Sequence, residues 1–184
     1  MGWGRAMSAS LVIDTSTSRT IVALVKDEQI IWQGFHDGAT DHGNAVALLA
    51  KQALAAGVNP ERVIVGMGPG PFTGLRVGIS FARAFAAARN IPVIGICSLD
   101  AIVVDQAAYT VAIDARRKEI YWAKYQDGVR IEGPAVNFPG DVAGYIIDLY
   151  PDVLRLVQLS QSQNVSEPFY LRRPDAVATA DRPS

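Results

Sequence analysis

Residues 66–78 read Gly-Met-Gly-Pro-Gly-Pro-Phe-Thr-Gly-Leu-Arg-Val-Gly, between a strand-like run at 62–65 and a long apolar stretch with helical spacing. No other stretch constrains the fold as tightly. A glycine-rich turn that feeds a helix has the outline of a phosphate loop, but the chemistry is wrong. A phosphate cradle needs consecutive free backbone N–H groups, and Pro69 and Pro71 each remove one. The Gly-Lys-Ser/Thr ending and the spaced Gly-x-Gly-x-x-Gly are both missing, and no acidic residue closes the next strand, Val93-Ile94-Gly95-Ile96-Cys97. Gly68, Pro69, Gly70, Pro71, Phe72 and Thr73 therefore form a rigid structural elbow that aims the helix after it.

In that helix Gly74, Gly78, Ala82 and Ala86 recur every four residues, which makes one ridge almost without side chains and lets another helix approach closely. Leu75, Val77, Ile79, Phe81 and Phe85 supply a surface to bury against a sheet, while Arg76 and Arg83 share a side and stay solvated or reach a partner. The ridge packs either on another helix of the same chain or on a separate protein. Between Val63 and Ala88 the only charges are Arg76 and Arg83, a shortage that favours a docking face.

Composition narrows the function classes. Charged residues make up 19% of the 184, below the roughly 25% usual for soluble domains. The net charge of -1 and the lack of a basic run disfavour tight nucleic-acid binding by this chain alone. Cys97 ends an apolar strand as a small hydrophobe, and with His36 and His42 as the only histidines no zinc-ligand spacing exists. The first ten residues carry no apolar run long enough for a signal peptide and are expected to be a loose lead. No stretch of 18 apolar residues is present to span a membrane, so the expected location is cytoplasmic.

Along the chain, β-branched runs at 11–14, 20–26 and 29–35 predict a three-strand antiparallel meander. A helix follows, with Asp41 as its cap, Val46, Leu49, Ala53 and Leu54 as its apolar stripe, and Gly57 at its end. The strand at 62–65, the elbow, the ridge helix to Asn90, a strand at 92–97 and a short helical stretch at 98–108 complete the unit. A second meander then repeats the first. Val12-Ile13-Asp14 and its turn match Ala112-Ile113-Asp114 and its turn, and each is followed by two further strands. Two β-β-β-α-β-α units, each opening on a strand that ends in aspartate, are the layout of the actin, hexokinase and Hsp70 ATPase (ASKHA) fold. There the two aspartate turns hold metal and phosphates, with glycine beside each aspartate so that backbone donors reach oxygen. Here Asp14 is followed by Thr15-Ser16 and Asp114 by Ala115-Arg116, so both turns read as degenerate.

Val12-Ile13-Asp14-Thr15-Ser16, the elbow from Gly68 to Gly78, Ala112-Ile113-Asp114-Ala115-Arg116, Glu119-Ile120-Tyr121-Trp122-Ala123 and Tyr170-Leu171-Arg172-Arg173 together resemble the TsaB (YeaZ) family of bacterial tRNA threonylcarbamoyladenosine biosynthesis proteins. The resemblance covers about residues 10–173 and rests mainly on the elbow. It implies a two-lobed ASKHA fold with no catalytic residue, cofactor or metal of its own. It further implies a homodimer, or docking on the related catalytic subunit TsaD through the first-lobe helices, with the ATPase TsaE in the assembled complex. On that reading Val46, Leu49, Ala53, Gly74, Gly78, Ala82, Ala86, Arg76 and Arg83 form the partner interface, and tRNA is met only through the complex, with Arg116, Arg117 and Lys118 as open candidates for contact.

The expected division is a lead at 1–10, a first lobe at 11–108, a shortened second lobe at 109–173 and a disordered tail at 174–184. Pro71 stands where the family usually has serine, and His42, near the start of the first helix, either contacts a partner or caps the helix, the second being favoured. Two other classes stay open: a nucleotide hydrolase using Asp14 and Asp114 with a metal, and a metal-dependent peptidase, for which the ligands are lacking.

Overall fold

A computed structural model describes residues 8–172. The first sheet has the order β3-β2-β1-β4-β5, built from β1 (Ala9–Asp14), β2 (Arg19–Lys26), β3 (Gln29–Asp37), β4 (Arg62–Gly66) and β5 (Val93–Ile96). β1 pairs antiparallel with β2 and parallel with β4. The side-chain period of two sends Leu11 and Ile13 to one face and Val12 to the other. Helices α1 (His42–Leu54) and α2 (Phe72–Arg89) cover the first face. The second sheet repeats the order as β8-β7-β6-β9, with β6 (Ala108–Asp114), β7 (Ile120–Gln126), β8 (Val129–Asn137) and β9 (Tyr145–Ile146). Again the aspartate-ended strand pairs antiparallel with its hairpin partner and parallel with the later strand. This duplicated mixed-sheet arrangement is the ASKHA fold in shortened form.

The shortening has a definite place. Where the first lobe carries α1 between its third and fourth strands, the second has only a 3-10 turn, Pro139–Asp141. The helix after β9, α3 (Val153–Leu159), does not cover its own sheet. Val153, Leu156 and Val157 pack under Val12, Ala23 and Ile64 on the far face of the first sheet, each contributing roughly 1.5–3 kcal/mol by leaving water. The chain then stays with the first lobe: the Val165 N–H donates to Gly95 O at 2.7 Å and the Phe169 N–H to Met67 O at 2.9 Å. Residues 153–172, expected in the second lobe, thus belong by packing largely to the first.

Other boundaries shift for local reasons. β1 starts at Ala9, and Ala9 and Ser10 are buried because Glu61 N–H bonds back to Ala9 O, so the lead is shorter than 1–10. The helix expected at 98–108 is a single 3-10 turn, Ser98–Ala101, because the Ala101 carbonyl accepts from Asp152 N–H instead of continuing a helix. Asp41 holds the N-cap position of α1, but its carboxylate accepts from the Asn44 side chain rather than from the helix backbone. Residues 1–7, and the tail at 174–184 with Arg173, lie outside the described residues.

A polar cluster ties the two lobes together. Asp100, on the 3-10 turn, accepts from the Tyr125 hydroxyl on β7 at 2.8 Å and faces Arg130 Nε on β8 at 3.4 Å. Tyr125 is 2% exposed and stacks on Tyr109. Tyr125→Phe keeps the ring and removes a donor to a charged acceptor, so urea titration should show a loss of about 1.5–3 kcal/mol at unchanged m-value. No change would mean that the hydroxyl does not hold the lobes.

Candidate functional site

The first aspartate turn is closed off by its own chain. Asp14 is fully buried; its Oδ1 accepts from Ser16 N–H at 2.9 Å and Ser16 Oγ at 2.7 Å, and its Oδ2 accepts from Ser98 Oγ at 2.7 Å. Ser98 Oγ in turn accepts from Gly68 N–H at 3.2 Å, which links the carboxylate to the elbow. Burial pushes the Asp14 carboxyl above its ordinary range, partly countered by the Ser16 and Ser98 hydrogen bonds and the nearby His42. His42, also buried, shares a 2.8 Å hydrogen bond between Nδ1 and Thr20 Oγ1, and burial holds its imidazole below the ordinary value.

The glycines explain how the turn is covered. A Cβ on Gly70 would collide with Ser16 O and lie 2.8 Å from Ser16 Cα; one on Gly74 would lie 2.8 Å from Thr15 O and 3.2 Å from the His42 ring. One on Gly78 would collide with Thr15 Oγ1, which itself donates to Gly74 O at 2.7 Å. The four-residue glycine spacing therefore seats the elbow and α2 directly on the Asp14-Thr15-Ser16 turn. In this respect the ridge reading is corrected. Gly74, Gly78, Ala82 and Ala86, together with Val46, Leu49 and Ala53 of α1, are buried within the chain. Arg76 and Arg83 are exposed as expected, Arg76 over the Phe72 ring and Arg83 donating to Ser166 O. Leu48 of α1 is 58% exposed, and Val77, Phe81 and Phe85 of α2 are half-buried.

The second aspartate turn stays open. The Asp114 carboxylate is exposed, accepts from Arg116 N–H at 2.9 Å and lies 3.9 Å from Arg116 Nε. A recess of about 100 Å³ holds Thr17, Asp114, Arg116 and Tyr150, and beside it runs a cleft of about 310 Å³ walled by the elbow at 70–73, Ala115 to Arg117, Tyr121 and Tyr170 to Arg172. Asp14 lines neither, so the structure does not bring the two aspartates to one opening. Sequence reasoning missed Ser98, Thr20 and the Asp100–Tyr125 pair, because each meets its partner only through the tertiary fold. Among the described residues no group of three or more His, Cys, Asp or Glu side chains could hold a metal ion. The Cys97 thiol, pushed up to about 12 by burial, has no nucleophilic character at neutral pH. No helix among the described residues is long and apolar enough to cross a membrane.

The family model described as "TsaD: tRNA N6-adenosine threonylcarbamoyltransferase" matches residues 36–176. The tRNA threonylcarbamoyladenosine biosynthesis protein TsaB of Escherichia coli is 32% identical over 128 residues, covering 63% of this chain and 54% of that protein. The chain belongs to the TsaB/YeaZ family. An uncharacterized protein of Mycobacterium tuberculosis is 43% identical over 144 residues, 74% of this chain and 68% of that one. A crystal structure of an uncharacterized Pseudomonas aeruginosa protein, described as similar to the peptidase YeaZ, matches with a TM-score of 0.75 at 26% identity, over 90% of this chain and all of that one. The chain spans about half the length of the curated TsaB relatives it matches. In this chain the Asp14-Thr15-Ser16 turn is covered by the glycine backbone of the elbow and α2.

Proposed function

We propose that the chain is a non-catalytic, cytoplasmic subunit of the complex that installs threonylcarbamoyl on the adenosine next to the tRNA anticodon. It docks on the catalytic subunit TsaD, or on a second copy of itself, through the outward faces of α1 and α2, and works with TsaE in the assembly. One observation carries the reading: the Asp14 carboxylate is fully buried and accepts three hydrogen bonds from Ser16 and Ser98, so a metal or phosphate reaches it only by breaking that packing. The corrected interface uses Leu48, Arg76 and Arg83 rather than the small-residue ridge.

Light scattering of the chain mixed with TsaD tests the proposal. Leu48→Glu places a charge at an already exposed position, so the fold is retained while association weakens about thirtyfold or more, the mark of an interface hot spot at about 2 kcal/mol. Unaltered association would remove this face from the interface. The nucleotide-hydrolase reading is tested alongside by calorimetry with Mg-ATP. A low-micromolar dissociation constant, about -8 kcal/mol, would overturn the non-catalytic reading, since such affinity needs the cradle that Gly70 and Gly74 fill.

A further inference from the structure

The open cleft between the elbow and the second aspartate turn has a composition that the subunit role does not explain. Arg116, Arg117 and Lys118 follow one another with φ values of 64, 53 and 63 degrees, a left-handed run that costs roughly 1–2 kcal/mol per residue. Strain of this kind persists where the surroundings demand a particular presentation. Arg116 and Arg117 line the cleft, and Lys118 is exposed on the same turn. Arg172 closes the wall, donating to Ala115 O at 3.1 Å and pairing with Glu119. With Asp114 and Glu119 as the acidic groups of this turn, cations outnumber carboxylates at the cleft. The same cleft has an aromatic part: Tyr170 packs on Phe72 with ring centroids 4.9 Å apart and remains 41% exposed, and the buried Tyr121 also lines it.

Basic side chains lining one cleft with an exposed aromatic ring are the composition of single-stranded nucleic-acid sites, where phosphates meet the cations and a base stacks on the ring. About 310 Å³ is enough for one base. We propose that this cleft binds one nucleotide of a single-stranded RNA segment, with its phosphate at Arg116 and Arg117 and its base against Tyr170. The inference rests on the reading of the chain as a subunit of a tRNA-modifying complex, and it gives that subunit a direct RNA contact. The same chemistry could come from a free nucleotide. A polymer is favoured because the basic turn continues past the cleft to the exposed Lys118.

The test is fluorescence anisotropy of a labelled anticodon stem-loop RNA with the full chain at low ionic strength, with AMP and polyglutamate as competitors. Arg116→Asn with Arg117→Asn suits the left-handed turn, because Asn tolerates positive φ, and circular dichroism confirms the fold. Binding is expected to weaken several-fold, with the slope of affinity against salt reduced by roughly one to two contacts. Tyr170→Ala is expected to lose about tenfold or more with an unchanged slope. Absence of RNA binding by the wild-type chain, or variants that bind like wild type, overturns the proposal. Displacement by AMP at lower concentration than by unlabelled RNA assigns the cleft to a free nucleotide, and displacement by polyglutamate as effective as RNA makes it a general anion surface; either overturns it. Association with TsaD, measured on the same variants, separates the two ideas: docking retained with RNA binding unchanged sinks only the RNA site, whereas wild-type chain that never associates sinks the subunit reading.

Discussion

Gly78→Leu should leave the protein largely unfolded at 37 °C, and Gly78→Ala should lower its melting temperature by about 4–8 °C. The added Cβ has nowhere to go. It collides with Thr15 Oγ1 and sits 3.1 Å from Thr15 Cγ2, and Thr15 cannot rotate away without giving up its hydrogen bond to Gly74 O. Overpacking of this sort costs typically 1–3 kcal/mol for a methyl, against which Ala gains somewhat under 1 kcal/mol of helix propensity over Gly. The net, about 2 kcal/mol at the upper end, corresponds to that temperature shift for a chain of this size. Leucine adds three more carbons to the same contact and exceeds what a marginally stable domain tolerates. Ala84→Leu, on the exposed side of α2, is the control and should change stability by no more than about 0.5 kcal/mol. Thermal melting followed by circular dichroism decides it. If Gly78→Leu melts like wild type, α2 is not seated on the Asp14 turn; a variant that stays folded yet fails to assemble would restore the ridge as a docking face.

Asp14→Ala should cost about 3–5 kcal/mol, seen as a large fall in the urea midpoint. It leaves Ser16 N–H, Ser16 Oγ and Ser98 Oγ without their acceptor in a fully buried place, and it removes the link from β1 through Ser98 to the elbow. Asp14→Asn keeps the shape and one acceptor oxygen and should be far milder. The pair separates packing from charge through pH. Because burial raises the folded-state pKa of Asp14 above its unfolded value, the folded protein holds this proton more tightly than the unfolded chain does. Its contribution is therefore fully present below about pH 4 and is lost as pH rises through the folded value. Asn does not titrate, so the stability advantage of wild type over Asp14→Asn should shrink as pH rises above about 4. His42 is held below its ordinary value by burial, partly countered by the Asp14 charge, so Asp14→Asn lowers it further and the comparison is best made with His42→Gln in both backgrounds. An advantage that grows with pH would mean that the three donors outweigh burial and keep Asp14 ionised.

Both results turn on a distinction visible in single residues. Local patterns were legible: the β-branched runs at 11–14, 20–26 and 29–35 give the three-strand meander, and the repeat of Ile13-Asp14 in Ile113-Asp114 gives two equivalent sheets. These follow from backbone sterics and from period, which act over a few residues. The four-residue spacing of Gly74, Gly78, Ala82 and Ala86 was equally plain, but spacing states only that a helix has a slim side. Whether that side meets solvent, a partner or Thr15 depends on where β1 lies, 59 residues away at the hydrogen bond that decides it.

The same reason separates the rest. The sequence by itself determined the two meanders, the helices α1 and α2, the duplication and the family resemblance. Only the tertiary structure decided that Asp14 is sealed by Ser98 while Asp114 stays open, since Ser98 is 84 positions from its acceptor and carries no local signal of the pairing. It also decided that α3 returns to the first sheet. An amphipathic helix of seven residues specifies that it needs an apolar surface, and the far face of the first sheet, bare around Val12, Ala23 and Ile64, was the surface to bury. Burial is set by which faces compete for cover across the whole chain, and that competition is not written in any one segment.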